Sequence, residues 1–341
     1  MHPTPPPSPL PASANLRPRR LRASPLLRDL LASSRLHPSD FVAPLFVRLG
    51  KNIKTPIASM PGQFQFSPDT ALTHLRQLAD GGLSAFLLFG VTDPHHKDPA
   101  GSHAHDETNA VCRTLRAAKD AGLPLLAITD LCYCEYTSHG HCGPLTATPT
   151  VDNDLTVANL GQQAALHARC GADIIAPSAA MDHMVAAIRT GLDAAGFPDT
   201  AILSYAVKYA SAFYGPFRDA AESPPQAGSG LSDRKTYQMD YRRHPAEALR
   251  EAALDVAEGA DLLMVKPGLP YLDILKAVSD AAPVPTAVYQ VSGEYAMLKA
   301  AAANGWIDEK ETVLETMHAF KRAGAAFILT YYAQQLAAWL R

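Results

Sequence analysis

The chain has 341 residues, 47% of them hydrophobic, with 30 basic residues set against 33 acidic ones. That near balance gives no electrostatic reason to expect nucleic acid or a membrane surface as partner, and no apolar run approaches the roughly 20 residues that a membrane helix needs. Five cysteines in a chain this long do not make a disulfide framework; they fit a reducing, cytoplasmic compartment in which thiols stay available.

Residues 1 to about 22 differ in composition from everything after them. Seven of the first eighteen residues are proline, and the first acidic residue is Asp29. The start lacks the apolar core of a secretory signal, and its prolines oppose the amphipathic helix of a transit peptide. It reads as an extended arm, residues 1–35, that leads through an amphipathic turn at 26–31 into a catalytic domain, residues 36–341.

Beyond the arm, short apolar runs alternate with helical patterns. Strands are expected at 41–47, 84–90, 124–129, 173–177, 201–207, 261–266, 286–291 and 326–331. Helices are expected at 69–80, 105–121, 155–169, 181–195, 245–258, 271–281, 309–322 and 333–340. Cys112 and Cys170 fall inside helical patterns, as small buried apolar residues do. Eight strand–helix units point to a TIM (β/α)₈ barrel, an α/β fold whose sites sit at the C-terminal ends of the strands. Unusual polar residues gather at those ends. Asp130 and Cys132 follow the third strand, Ser178 the fourth and Lys208 the fifth; Lys266 closes the sixth, Ser292 follows the seventh, and Tyr331 closes the eighth.

Cys132, Cys134 and Cys142 lie within eleven residues of one another, directly after an apolar run. Three thiolates from one loop suit a tetrahedral Zn²⁺ and leave its fourth position open, as catalytic zinc requires. The spacing also allows a closed structural site, with His139 or His141 as the fourth ligand, or a redox-sensitive loop without metal.

Lys208 and Lys266 end consecutive strands, and neighbouring strands lie only about 4.8 Å apart. A lysine at its ordinary pKa of about 10.4 is almost wholly protonated at neutral pH and a poor nucleophile. Burial and a second ammonium both disfavour its charged form, and a neutral amine can attack a ketone to give a Schiff base. The plainer reading is a lysine paired with a carboxylate at the barrel mouth. Between the two lies a long connection, 209–244, with Arg218 and Arg234 on either side of a Gly/Pro/Ser-rich tip. Such loops are commonly lids, and arginines on a closing lid can clamp a carboxylate.

The cysteine loop, both lysine segments, the lid and the stretch 289–297 (YQVSGEYAM) together closely resemble the porphobilinogen synthase, or 5-aminolevulinate dehydratase, family from about Arg17 onward. The resemblance implies a homo-octameric hydro-lyase of tetrapyrrole (heme) biosynthesis that condenses two 5-aminolevulinate molecules to porphobilinogen with loss of two waters. Lys266 then matches the lysine that holds the P-site substrate, and Lys208 the one that engages the A-site substrate. Cys132, Cys134 and Cys142 match the ligands of the zinc-dependent branch. Asp130 and Ser178 match polar residues lining the pocket. Arg218 and Arg234 match lid residues that bind the A-site carboxylate, assisted by Gln238, while Ser292 and Tyr331 match the ligands of the P-site carboxylate. Glu251 matches an acidic residue that binds an allosteric Mg²⁺ between subunits. The lid tip, 224–230, is longer than the family's short form. A class I aldolase-like lyase, needing one lysine and no thiol site, and a non-catalytic zinc-stabilised binding protein are the competing readings.

Overall fold

The computed structural model describes residues 17–226 and 229–341; expectations that rest on residues 1–16, or on Ala227 and Gly228 of the lid tip, lie outside the described residues. The described chain divides after Arg35 into two units. The first holds a 3₁₀ turn, Pro18–Arg22, and a short helix, Pro25–Leu30. Ser24 caps that helix, its hydroxyl accepting from the Leu27 amide at 3.2 Å, and none of its residues is buried. The expected amphipathic turn is therefore a helix.

The second unit is an α/β barrel. Its strands are β1 (Phe41–Arg48), β2 (Lys54–Pro56), β3 (Phe64–Phe66), β4 (Ala85–Val91), β5 (Leu126–Leu131), β6 (Ile174–Pro177), β7 (Ala201–Lys208), β8 (Leu262–Lys266), β9 (Thr286–Gln290) and β10 (Ile328–Thr330). Eight of them, β1 and β4 to β10, run parallel in chain order, and β10 pairs with β1 to close the ring. Closure fits their composition. Strands such as Ala85–Val91 are buried throughout, as expected where one face meets the barrel interior and the other a helix. The short antiparallel pair β2–β3 is an addition that lies beside the end of β1, with Phe46 opposite Gln65. Three-residue strands are too short for periodicity to reveal.

Two boundaries and one further element differ from expectation for local reasons. The helix expected from 105 starts at Ala110, because the Asn109 side chain accepts from the Cys112 amide at 2.8 Å and caps it there; residues Ser102–His105 form a 3₁₀ turn instead. The third strand runs from Leu126 to Leu131, so Asp130 lies within it rather than after it. An unforeseen helix, Ser292–Ala303, follows β9 with one residue between. The lid is not wholly irregular either: it contains a 3₁₀ turn, Ala212–Tyr214, and a helix, Gly215–Ala220. Among the described residues no helix is long and apolar enough to cross a membrane.

Candidate active site

Lys208 and Lys266 end β7 and β8 as direct partners in register. A bulge in β7 sets this up. Ser204 pairs with Leu263, but Val207, three residues on, pairs with Val265, only two residues on. A strand alternates its side chains between faces, and one extra residue reverses the alternation. Ser204 therefore meets Asp255 of the helix Ala246–Ala257 at 2.5 Å, while Tyr205 and Lys208 share one neighbourhood, Nζ lying 5.5 Å from the ring centre.

Both lysines are buried. Burial, reinforced by the charge of Lys208, pushes the Lys266 ammonium down to about 7. Lys208 donates to the Ser178 carbonyl at 2.5 Å, and the Ser178 hydroxyl donates to Asp130 Oδ2 at 3.0 Å. Burial pushes the Asp130 carboxyl up to about 6 against the pull of the two lysines. Its Oδ1 is buried with no hydrogen-bond partner among the described residues.

Cys132, Cys134 and Cys142 bring their sulfurs within 4.8 Å of one another. All three are buried and free of disulfides, beneath the lid rather than on a surface loop. Hydrogen bonds from Cys132 and Cys142 hold the Cys134 thiol well below its ordinary range, whereas burial pushes Cys132 well above it. Neither neighbouring imidazole completes the set. His139 bonds the Pro99 carbonyl and accepts from the His141 amide; His141 bonds Tyr237 Oη at 3.1 Å and the Leu231 carbonyl at 3.2 Å. Three soft, buried sulfur donors with no fourth side chain among the described residues fit an open Zn²⁺ site in donor chemistry. A second ligand-bearing group, Asp93, His95 and His96, is more exposed, and its carboxylate is already paired with Arg48 at 2.6 Å.

The lid fastens onto this loop. Arg234 donates to the carbonyls of Gly140 at 2.8 Å and Ser223 at 3.0 Å; burial opposes its charge, but the neighbouring sulfurs of Cys142 and Cys134 outweigh that and favour the protonated form. Gly140 has φ of +73°, and a Cβ there would overlap the Pro224 carbonyl of the lid, so only glycine allows this approach. Glu135 anchors the other side, accepting from the Gly90 amide at the end of β4 at 2.7 Å.

Arg218 and Gln238 belong to the same lid, and atoms without a partner among the described residues gather there: Nε of Arg218 and of Arg234, and both amide atoms of Gln238. Ser292 and Tyr331 are placed less freely. The Ser292 hydroxyl accepts from the Phe217 amide at 2.9 Å and donates to the Phe213 carbonyl at 3.3 Å; Tyr331 Oη accepts from Tyr289 Oη at 3.1 Å. Glu251 is apart from this group, midway along the helix Ala246–Ala257. It lines a cavity of ≈ 740 Å³ that reaches Lys208, Gln238 and Asp255, and burial, with Asp182 nearby, raises its carboxyl.

Sequence reasoning missed the rings. Tyr289, Tyr205, Phe217, Tyr214 and Phe89 surround Lys266 Nζ, with ring centres at 4.3, 5.0, 5.2, 5.4 and 6.0 Å. They come from three strands and the lid, and each alone reads as ordinary core. It also missed Glu294, buried, which accepts from the amides of Leu269 at 2.6 Å, Val291 at 2.7 Å and Gly268 at 3.2 Å. That carboxylate ties the segment after Lys266 to the one before Ser292. The run Ser292-Gly293-Glu294 immediately after a strand was the available signal.

Comparison with known proteins agrees with this geometry. A family model for delta-aminolevulinic acid dehydratase matches residues 15–339. The chain is 49% identical over 327 residues to the delta-aminolevulinic acid dehydratase of Synechococcus elongatus, covering 95% of this chain and 98% of that one. It is 49% identical over 322 residues to that of Halalkalibacterium halodurans, covering 94% and 96%. The crystal structure of the Toxoplasma gondii enzyme with its reaction product porphobilinogen superposes with a TM-score of 0.92 at 44% identity, covering 96% of this chain and 92% of that one.

Proposed function

The chain belongs to the delta-aminolevulinic acid dehydratase (porphobilinogen synthase) family, and we propose that its lysine pair, thiol group and lid are the working parts of that activity. The reaction is the condensation of two 5-aminolevulinate molecules to porphobilinogen, a hydro-lyase step of porphyrin and heme biosynthesis. The observation that carries the assignment of parts is the register of Lys208 and Lys266, side by side beneath the lid that also covers the three thiols.

With its pKa brought to about 7, Lys266 is neutral in a usable fraction at physiological pH. Its amine adds to the P-site ketone, and loss of water from the carbinolamine leaves an iminium. Lys208, oriented by the Ser178 carbonyl, takes the A-site ketone in the same way. Asp130, its carboxyl raised by burial to about 6 and with one oxygen unpartnered among the described residues, is the group to carry protons to departing water. Arg218, Arg234 and Gln238 bind the A-site carboxylate through atoms that now lack partners. Ser292 and Tyr331 bind the P-site carboxylate, Ser292 exchanging its long bond to Phe213.

Cys132, Cys134 and Cys142 would hold Zn²⁺. When bound, it supplies Lewis acidity for polarising and orienting the second substrate. A single-lysine aldolase-like lyase would have no use for three such thiols. Glu251, with Asp182, Glu247 and Glu258 acting on it, is the proposed ligand of a hydrated allosteric Mg²⁺. The assembly is a homo-octamer of cytoplasmic enzyme.

Sodium borohydride added with 5-aminolevulinate is expected to fix substrate covalently on Lys266, located by peptide mass. An active enzyme without any lysine adduct would overturn the Schiff-base reading.

A further inference from the structure

The rings around Lys266 have a chemical property that the proposed reaction can use. An aromatic face carries negative potential and attracts a cation within about 6 Å of its centre, most strongly where water is excluded. Five rings meet that distance. They also brace one another. Phe217 meets Phe89 edge-on at 4.9 Å, Phe89 stacks on Phe46 at 5.6 Å, and Tyr289 lies 6.0 Å from Tyr331. Lys208, by contrast, is turned to a backbone carbonyl.

We propose that Tyr289, Tyr205 and the lid residue Phe217 are catalytic residues that stabilise the P-site iminium through their ring faces. The inference rests on the reading of Lys266 as the Schiff-base lysine. The step balances as amine plus ketone plus one proton giving iminium plus water, the oxygen leaving being the ketone's. Its product is a delocalised, weakly hydrated cation, which loses less by leaving water than a primary ammonium does. Ring faces offer a cation no strong hydrogen-bond acceptor, and therefore favour the iminium over the ammonium. Two of the five rings, Tyr214 and Phe217, belong to the lid. The lid is held to the residue that opens the helix after β9, the Phe217 amide donating to the Ser292 hydroxyl at 2.9 Å, a bond that carboxylate binding at Ser292 leaves in place. Gly293 makes that docking possible, since a Cβ would lie 2.6 Å from the Phe213 carbonyl. The cage is complete only with the lid closed, so capture of the ketone and closure support each other.

The test replaces Phe217 by mono-, di- and trifluorophenylalanine, which weaken the ring's negative face with little change of shape. The probe is levulinate, a ketone and carboxylate without the amine needed to go further, titrated at about pH 9, above the Lys266 pKa, where the free lysine is neutral and only the adduct is cationic. Equilibrium trapping by borohydride is expected to weaken in step with fluorination, roughly three- to tenfold over the series. Binding of pentanoate, which has the carboxylate but no ketone, stays constant. Tyr289→Leu loses about tenfold for levulinate, and Tyr289→Phe retains most of it. Levulinate affinity that is flat across the fluorinated series, or that falls together with pentanoate affinity, overturns the cage. Absence of any levulinate adduct on Lys266 in the unsubstituted enzyme instead overturns the lysine assignment beneath it.

Discussion

Lys208 and Lys266 differ by one strand and share one register, yet their surroundings are unlike. Lys266 sits among rings, fully buried, with its ammonium pushed down to about 7. Lys208 bonds a carbonyl and borders a cavity of ≈ 740 Å³ that leads out past Gln238 and Asp240 towards Glu251. The difference suits an asymmetric condensation of two identical molecules. On the proposed reading, one substrate is captured where a neutral nucleophile and a caged cation are favoured, and the other beside the open cavity. Two equal lysines would not tell the first molecule from the second.

The largest effects come from breaking that contrast on the Lys266 side. Lys266→Arg keeps a cation that cannot form a Schiff base, and porphobilinogen formation should fall by several orders of magnitude. Lys266→Met should be equally inactive but more stable, because an apolar chain replaces a buried cation; about 1–4 kcal/mol is the scale for such exchanges, read as a raised midpoint in urea. The wild-type cost also has a pH signature. The lysine's folded pKa lies below its unfolded value, so between about pH 7 and 10.4 the unfolded chain holds the extra proton and stability rises with pH. Lys266→Met should lose that slope. An unchanged slope would show that the penalty lies elsewhere.

Next in size is the metal group. A chelator, or Cys134→Ala, should remove most activity while far-ultraviolet circular dichroism persists, because the barrel strands do not depend on this loop. Cys134 is one of the sulfurs that favour the Arg234 charge, so in Cys134→Ala the lid should loosen as well, seen as faster proteolysis within 222–238. Cooperative unfolding of the whole chain by chelator would make the metal structural instead. A smaller effect separates the lysines again. Lys208→Met removes a neighbouring charge, so the Lys266 pKa rises and the pH at which borohydride trapping reaches half its maximum moves upward, by about one unit for a close like charge. No movement would mean that burial alone sets the Lys266 pKa.

Much of this was legible in the chain. Apolar runs ending in Lys208 and Lys266 announced two strand-end lysines, and the spacing of Cys132, Cys134 and Cys142 announced a shared ligand group. Those signals are local, carried by neighbours in sequence. The bulge at Ser204–Val207 was not legible, since one extra residue in a pairing leaves no mark in a single strand. The ring cage was not legible either: Phe89, Tyr205, Tyr214, Phe217 and Tyr289 become a group only when the barrel closes. The helix Ser292–Ala303 was missed because it starts one residue after β9, without the polar loop that would separate the two.

The smallest effect tests the far end of the ≈ 740 Å³ cavity. Glu251 is half-buried among carboxylates, and burial has already raised its pKa, so a hydrated Mg²⁺ would relieve a standing repulsion. One turn further along the same helix, Asp255, pushed up to about 7 by burial, bonds Ser204 of β7 at 2.5 Å, just ahead of the bulge that aims Lys208. Mg²⁺ is therefore expected to stimulate the intact enzyme a few-fold and to leave Glu251→Ala unmoved. Because the path ends at Lys208, the stimulation should appear in the KM of the A-site molecule while borohydride trapping of levulinate at Lys266 stays constant. Equal stimulation of both steps would place the effect in assembly of the oligomer, which light scattering of the same samples with and without Mg²⁺ distinguishes: a shift in mass marks assembly, and a constant mass with changed KM marks the path through Asp255.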